Sequence, residues 1–380
     1  MATALAVVVT IGGSLAGPAA GAPTPVTAAH VSSLNVALDC ALPATSTPPA
    51  GAGSSRHPLS FGVTDSHPTR ATLPLLRTLQ GRLRRLGVHD YTGPTRSAAY
   101  LRTVYPRLHR LSRRGYPVTL DVGIGNTNGA APSRRRFVRF VRHVVRHDGG
   151  WLYAIEITNE PDVPSPTTSD GANTAVIGDL VDGVVAAKSL VRRLHLRLRV
   201  GFNVAYDYGA DSIFWARLAL QATPEFRRDV DWVGLHTYPN LLSADTPVNG
   251  SVEVLERLAM ATTRSCLAAI GLSPAVPIEV TEVGYPTTRG PTEYAAQRDY
   301  WQRVIATVAH DGPAYGVGGL FIFLLQDAPA TAAVASGYGV FDQHGHSKPA
   351  RRLLTRLFQR YGRTVPRWSA TRELLSPNPS

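Results

Sequence analysis

Two short segments of the chain each carry a glutamate at or just past the end of an apolar run. In residues 155–162 (IEITNEPD) this glutamate is Glu160, and in residues 278–286 (IEVTEVGYP) it is Glu282. Two carboxyl groups about 5–5.5 Å apart can cleave a glycosidic bond with retention, one as proton donor and the other as nucleophile. This chemistry requires no metal ion and no organic cofactor, and the sequence suggests neither.

The segments that must position these glutamates alternate between short apolar runs and longer amphipathic stretches. The runs predict eight strands, at 59–63, 88–92, 117–122, 152–158, 198–203, 231–236, 277–282 and 319–325. The stretches between them predict helices, at 73–86, 98–113, 133–147, 177–196, 252–270 and 292–310. Such alternation is typical of a single (β/α)8 TIM barrel, expected here over 57–365.

A doubly wound open sheet is the rival topology. It would usually place a glycine-rich phosphate turn after its first strand, whereas this chain has the sequence TDSH at 64–67. In a barrel the active site forms at the carboxyl ends of the strands. The residues expected there are polar or aromatic, as in a site that holds a sugar: Asp65, His67, Tyr91, Asn126, Asn128, Asn159, Glu160, Asn203, Tyr206, Asp207, His236, Tyr238, Glu282, Tyr285, Gln326 and Asp327.

Four motifs resemble those of the clan A glycoside hydrolases, which are retaining (β/α)8-barrel enzymes, and they occur in the same chain order. The sequence NEP at 159–161 resembles their acid/base motif after strand four. TEVGYP at 281–286 resembles their nucleophile motif at strand seven, and HTY at 236–238 resembles the His-x-Tyr after strand six. YGVFD at 338–342, followed by KPA at 348–350, resembles the closing turn and last helix. The resemblance covers about residues 57–362.

The resemblance implies a role for each matching residue. Glu160 would be the general acid/base and Glu282 the nucleophile. Asn159 would bond the sugar 2-hydroxyl, Tyr238 would contact the nucleophile, and His236 would line the −1 subsite.

Three further residues, Tyr285, Asn203 and Gln326, are expected to bind substrate as lining of the cleft. One departure from the clan lies at strand eight, where many members carry a tryptophan and this chain has LFIFLLQD at 320–327. Either Phe323 replaces that platform or the sugar rests on another group.

Two other glutamates lie on the same strands and have structural interpretations. Strict alternation puts Glu282 on one face of its strand and Glu279 and Thr281 on the other, so Glu279 is expected to face the helices as a paired charge. Glu156 shares its parity with Glu160. It is expected to point into the barrel below the site, where a carboxylate must be hydrogen-bonded or paired.

The ends of the chain carry a different composition from the barrel. Residues 1–38 contain no charged side chain, and an apolar stretch at 2–15 leads into small residues at 16–22. This pattern predicts a secretory signal region over 1–29, a linker over 30–56 and export of the protein. Residues 366–380 are expected to form a tail. No internal apolar run approaches the ~18 residues of a membrane helix, so we expect no stable membrane insertion.

The formal charge of +12 is the difference between 39 basic and 27 acidic residues, and the basic residues include only two lysines, Lys188 and Lys348. So strong an arginine bias indicates codon usage more than selection for phosphate contacts, and no nucleic-acid motif accompanies it, so nucleic acid is not an expected partner. The arginine run over 134–146 is interpreted as a solvated helix face, with a docking strip for acidic polysaccharide as the alternative. Cys40 and Cys266 have no zinc-site spacing, and either a disulfide or a free thiol fits them.

The resulting hypothesis is a secreted, monomeric glycoside hydrolase that cleaves β-glycosidic bonds of a polysaccharide or oligosaccharide by double displacement. Two other classes stay open. One is a non-catalytic carbohydrate-binding protein on a degenerate barrel, and the other is an arginine-rich binder of anionic polymers. The sugar, the linkage and the choice between endo and exo action are left undetermined by the sequence.

Overall fold

Eight parallel strands close into a barrel in chain order, with the first strand paired to the eighth. The computed structural model describes residues 58–65, 71–83, 85–96, 98–125, 132–165, 167–206, 212–239, 251–288, 290–328 and 337–362. The strands β1 to β8 are Ser60–Thr64, Gly87–Thr92, Val118–Val122, Ala154–Ile157, Arg199–Ala205, Trp232–Thr237, Ile278–Val283 and Val317–Ile322. Each overlaps its predicted strand, so the (β/α)8 barrel is confirmed and the open sheet is excluded.

Helices follow the strands around the outside of the barrel. Within the described residues, α1 to α9 are Thr72–Gln80, Ala98–Arg113, Arg134–Asp148, Val176–Arg193, Ser212–Gln221, Pro224–Asp229, Val252–Ala269, Tyr294–Asp311 and Ala350–Tyr361. The first predicted helix ends early because Gly81 follows it with φ 55°, a backbone conformation that terminates a helix. Helices α5 and α6 were not predicted. In α5 the apolar residues Ile213 and Leu220 are 69% and 50% exposed, so apolar side chains are not confined to the buried face and the amphipathic pattern is weak.

The arginine run lies on the solvent side of α3. Phe137, Val141 and Val144 of that helix are buried against the core, whereas the arginines of 134–146 are exposed. The guanidinium of Arg134 lies 3.5 Å from a carboxylate oxygen of Asp182 on α4. The amphipathic pattern thus gives α3 one core face and one basic, solvated face.

A β-bulge interrupts the pairing of β6 with β7. Leu235 is opposite Val280, but the next residue, His236, is opposite Glu282. Thr281 is therefore the extra residue of β7 at this point, and strict alternation of side chains is broken there. The bulge matters because it lies directly before Glu282 and alters which side chains of β7 point inward.

The predicted orientation of Glu279 toward the helices is wrong, although its pairing is confirmed. Its carboxylate accepts a 2.8 Å hydrogen bond from Arg199 on β5, and since β6 separates these strands, the bond crosses the barrel interior. Thr281 also points inward, because a Cβ built on Gly234 would lie 2.5 Å from its hydroxyl and 2.2 Å from Glu156 Oε1. The bulge thus brings residues of both parities of β7 to the interior.

Several predictions concern residues outside the described part of the chain. These are the signal region 1–29, the linker 30–56 (including Cys40), the tail 366–380 and the strand-end residues His67, Asn126, Asn128 and Asp207. Cys266 is described and is buried in α7. None of the helices described has the length and apolar character to cross a bilayer.

Candidate active site

Glu160 and Glu282 lie side by side at the carboxyl end of the barrel, on either side of His236. The ring nitrogen Nδ1 of His236 is 2.9 Å from Glu160 Oε1 and 3.4 Å from Glu282 Oε1. One ligand atom from each of these three residues lies within 4.8 Å of the others. Glu160 follows β4, Glu282 lies in β7 and His236 lies in β6. The barrel therefore brings two carboxylates, 122 positions apart in the sequence, into one cleft.

Two tyrosine hydroxyls donate hydrogen bonds to Glu282. Tyr238 donates to Oε2 at 2.7 Å, and Tyr91, on β2, donates to Oε1. Burial and the negative charge of Glu282 raise the pKa of both phenols well above the ordinary value, so both remain donors. Burial also raises the pKa of Glu282, against the opposing effect of the positive charge on His236. Tyr91 and Tyr238 thus fix both oxygens of this carboxylate.

His236 is fully buried between the two carboxylates. Burial by itself would lower the pKa of its imidazole, but the charges of Glu282 and Glu160 outweigh burial and raise that pKa to about 9. At neutral pH the ring is therefore a cation that offsets one negative charge of the pair.

The turn that carries Glu160 has an unusual backbone. Thr158 and Glu160 have φ values of 69° and 45°, in the left-handed region that residues other than glycine seldom adopt. Two side chains hold the turn: Asp170 accepts the N–H of Asn159 at 2.8 Å, and Asn203 accepts the N–H of Glu160 at 2.7 Å. The Glu160 side chain is 15% exposed, compared with 7% for Glu282.

Asn159 fits a role in binding the substrate. Its Nδ2 donates to the carbonyl of Thr168 at 2.9 Å, whereas its Oδ1 is buried without a hydrogen-bond partner in the described residues. It borders a cavity of about 480 Å³ that reaches from Tyr91 over the ends of β2, β3 and β4. The cavity is lined by Tyr91, Thr92, Thr95, Arg96, Tyr100, Asp121, Gly123, Gly125, Asn159, Thr167, Thr168, Ser169 and Asp170.

Three of the residues predicted to bind substrate make other contacts. Asn203 is 0% exposed and lies beneath the cleft, where its amide bonds protein groups. The ring of Tyr285 packs against Tyr300 at 5.3 Å between centroids, and the Gln326 amide donates to the carbonyl of Gln343 at 3.0 Å. Among the contacts described, the side chains of Tyr285 and Gln326 do not reach Glu160 or Glu282.

An aromatic cluster lies at the end of strand eight, where many clan A members carry a tryptophan. The rings of Phe323, Tyr238 and Tyr338 meet edge to face, with centroids 5.3 to 6.0 Å apart. Phe323 is 9% exposed and therefore offers little free face to a sugar. Burial, and then the charge of Glu282, raise the pKa of Tyr338, which places this ring near the carboxylates.

The closing turn that carries Tyr338 is anchored by Lys348. Its ammonium lies 2.6 Å from Asp327 Oδ2, and it donates to the carbonyl of Gly337 at 3.0 Å and to the hydroxyl of Thr287 at 2.9 Å. One buried cation thus ties the turn to the segments that follow β7 and β8.

Sequence reasoning missed the roles of Tyr91 and Tyr338. Tyr91 was noted only as a strand-end residue, and its partner Glu282 is 191 positions away. Tyr338 was noted only as part of the closing-turn motif. The available signal was their place in the sequence, at a strand end and in a loop beside the barrel mouth.

Among the described residues, two groups of side chains have the composition of a metal site. One is Glu160, His236 and Glu282, and the other is His89, Asp121 and Glu156 inside the barrel. In both groups the imidazole is already bonded to a carboxylate, at 2.9 Å for His236 and 3.1 Å for His89. The absence of a metal requirement stays a prediction from the sequence.

A second cavity, of about 580 Å³, has a different lining. It is formed on α2 by Pro106, His109, Arg110 and Arg113, with Arg114 beyond the helix end, and it contains none of the groups that surround Glu160 and Glu282. Carboxylates are absent from its described lining, so it offers none of the chemistry considered above.

Comparison with known proteins supports the fold. No family model and no curated protein matches the chain. Solved structures do match, among them a β-glucosidase from Thermotoga maritima in complex with deoxynojirimycin, at 12% identity and a TM-score of 0.55. That match covers 80% of this chain and 98% of the glucosidase.

Two other solved structures also match the chain. A monomeric β-xylosidase from Caulobacter crescentus CB15 is 16% identical, with a TM-score of 0.55 over 79% of this chain and 69% of that one. A glycoside hydrolase family 17 β-1,3-glucanosyltransferase from Rhizomucor miehei is 14% identical, with a TM-score of 0.51 over 78% and 97%. These neighbours are clan A glycoside hydrolases, and the chain shares their TIM-barrel fold, as the sequence motifs predicted.

Proposed function

We propose that the protein is a retaining glycoside hydrolase acting on β-glycosidic bonds, with Glu282 as nucleophile and Glu160 as general acid/base. The observation that carries this proposal is the sharing of one imidazole, His236, by both carboxylates, at 2.9 and 3.4 Å. Two carboxyl groups this close suit direct attack on the anomeric carbon, since an inverting pair stands ~6.5–9.5 Å apart to admit water.

In the first step, a carboxylate oxygen of Glu282 attacks the anomeric carbon while the bond from that carbon to the leaving oxygen breaks. Glu160 gives its proton to this oxygen, and the alcohol departs. The product is a covalent glycosyl ester on Glu282. Tyr91 and Tyr238 align the attacking carboxylate by their hydrogen bonds to its two oxygens.

In the second step, Glu160 acts as a base. It takes a proton from a water molecule, whose oxygen attacks the anomeric carbon, and the Glu282 carboxylate leaves with its electron pair. The sugar is released with its original configuration.

The cavity beside Tyr91 and Asn159 supports binding of a carbohydrate. Its volume of about 480 Å³ lies within the ~300–1,000 Å³ typical of small-molecule sites. Asn159 Oδ1 has no hydrogen-bond partner in the described residues, and a sugar hydroxyl could donate to it. The proposal includes export, which rests on the uncharged apolar segment at 2–15 and the small residues after it.

A hydrolysis screen tests this function. Wild-type protein and the Glu160→Gln variant are incubated with aryl β-glucosides, β-xylosides, β-galactosides and β-glucuronides, and with plant, fungal and bacterial cell-wall polysaccharides. We expect hydrolysis of at least one substrate by the wild type and loss of at least about 100-fold in the variant for an oligosaccharide. Binding of a glycan without hydrolysis by the wild type would instead favour the carbohydrate-binding alternative.

A further inference from the structure

A chain of buried hydrogen bonds runs beneath the cleft and ends at the backbone of Glu160. Thr64 Oγ1 lies 3.2 Å from His89 Nδ1, and His89 Nε2 lies 3.1 Å from Glu156 Oε2. The same oxygen of Glu156 accepts a 3.0 Å bond from Asn203 Nδ2, and Asn203 Oδ1 accepts the N–H of Glu160 at 2.7 Å. The first four side chains are all 0% exposed, so none of them reaches the substrate.

The two carboxylates below Asn203 fix the direction of its amide. Its Nδ2 group donates one hydrogen bond to Glu156 and the other to Asp121 Oδ2, at 2.7 Å. A flipped amide would turn its oxygen toward these acceptors and its NH2 group toward the N–H of Glu160. The hydrogen bonds to Glu156, Asp121 and the Glu160 N–H would then all be lost. The acceptors therefore determine that Asn203 Oδ1 faces Glu160.

Glu156 is suited to this role because it carries charge. Burial would raise the pKa of its carboxyl, but the hydrogen bond and charge of His89 outweigh burial and lower it. Burial and the negative charge of Glu156 raise the pKa of the neighbouring Asp121. A carboxylate accepts the amide N–H of Asn203 more strongly than a neutral group would.

The bond to Asn203 matters because Glu160 has a strained backbone. A residue other than glycine in the left-handed region is energetically unfavourable and persists only where its surroundings hold it. Asn203 fixes the N–H of this residue, and thereby the direction in which its side chain leaves the turn. A misplacement of about 1 Å in a proton donor can reduce the rate by about 100-fold.

We propose that Glu156, held by His89, is a positioning residue for the general acid/base, acting through Asn203 on the backbone of Glu160. The inference rests on the proposed function, because it concerns how well Glu160 delivers its proton. The buried residues His89, Glu156 and Asn203 would thus affect proton delivery by Glu160 without touching the substrate.

The test replaces Glu156 by glutamine and compares two substrates with the same sugar. One has a poor leaving group, such as an alkyl alcohol, which needs protonation; the other has 2,4-dinitrophenolate, which does not. We expect Glu156→Gln to lower kcat about 10–100-fold for the alkyl glycoside, with KM changed less than about threefold. For the dinitrophenyl glycoside, kcat measured under conditions where glycosylation limits the rate should fall less than about threefold.

Glu279→Gln is the matched control. Glu279 is also an ion-paired, buried glutamate inside the barrel, bonded to Arg199 at 2.8 Å, but it has no contact with Asn203 or Glu160 among the bonds described. We expect kcat of this variant to stay within about twofold of wild type on both substrates, even where its melting temperature falls.

Three outcomes would overturn the inference. One is a wild-type kcat for Glu156→Gln on the alkyl glycoside, and another is an equal loss on both substrates, which indicates general damage. Should Glu156→Gln fail to fold, Asn203→Ala carries the same expectation, and a wild-type kcat in that variant would be the third. The proposed function fails separately, and the inference with it, if Glu160→Gln keeps full activity on the alkyl glycoside.

Discussion

The ends of β4 and β7 hold their glutamates in different ways. At β7, Glu282 is held directly, by the hydroxyls of Tyr91 and Tyr238 on its two oxygens. At β4, the backbone of Glu160 is held by Asn203, while its side chain bonds His236 and is 15% exposed.

This difference follows the work proposed for each group. A nucleophile attacks as an anion, and two fixed donors align an anion and stabilise its charge. An acid/base group must exchange a proton with substrate and water in each cycle, and the Glu160 side chain is correspondingly more exposed, at 15% against 7% for Glu282. A glutamate side chain can thus be positioned through its carboxylate or through its backbone.

The largest effect is expected from removal of the directly held glutamate. Glu282→Ala should lower kcat on an aryl β-glycoside by about 10⁴–10⁶-fold, because no group remains to form the covalent intermediate. Added azide should restore part of the rate and yield the α-glycosyl azide, since azide enters from the side that Glu282 occupied. Product configuration is read by NMR, and normal activity in the variant would contradict the assignment.

Removal of the backbone-held glutamate should give a smaller effect with the opposite stereochemistry. Glu160→Ala should lower kcat about 10²–10⁴-fold for an alkyl β-glycoside and much less for a dinitrophenyl glycoside. Azide should then yield the β-glycosyl azide, because it attacks the glycosyl ester on Glu282. An α-azide from this variant would reverse the two roles.

The tyrosines provide a test of direct holding. Tyr91→Phe and Tyr238→Phe should each lower kcat about 10–100-fold, because each removes one donor from the Glu282 carboxylate while keeping the ring. Tyr105→Phe serves as control, since that hydroxyl bonds Thr92 at 3.0 Å and not Glu282. Variants of Tyr91 and Tyr238 that match the control would show that these donors do not support the nucleophile.

The smallest expected effect is a change in pH dependence. The positive charge of His236 lowers the pKa of Glu282 against the larger opposing effect of burial. His236→Asn removes that charge, so the pKa of Glu282 should rise and its ionised form should appear only at higher pH. The acidic limb of kcat/KM, which reports ionisation of the free enzyme, should move up by about one pH unit. An unmoved limb would show that His236 is not the counter-charge.

The sequence was sufficient for the barrel fold and for the proximity of Glu160 and Glu282, whose catalytic roles stay a prediction. Most strands are apolar runs, and the helices that were predicted have amphipathic periods, so local pattern and topology agree there. Glu160 and Glu282 were found because each closes such a run, and in a barrel all runs end at the same rim. The inward placement of Glu156, read from its parity with Glu160, is confirmed by its bonds to His89 and Asn203.

What the sequence could not give depends on register and long-range pairing. The bulge at Thr281 has no signature in the strand sequence IEVTEV at 278–283, and it reversed the predicted orientation of Glu279. Asn203 looked like a sugar ligand because it lies near a strand end. Its burial follows from two carboxylates on other strands, Asp121 and Glu156, whose closeness only the closed barrel creates.

Trapping of the covalent intermediate tests the central claim most directly. A 2-deoxy-2-fluoro glycosyl fluoride of the sugar hydrolysed best would be incubated with the wild type, and the labelled peptide identified by tandem mass spectrometry. We predict stoichiometric inactivation with the fluorosugar esterified to Glu282. A label on any other residue, or release of an inverted product from the natural substrate, would contradict the account.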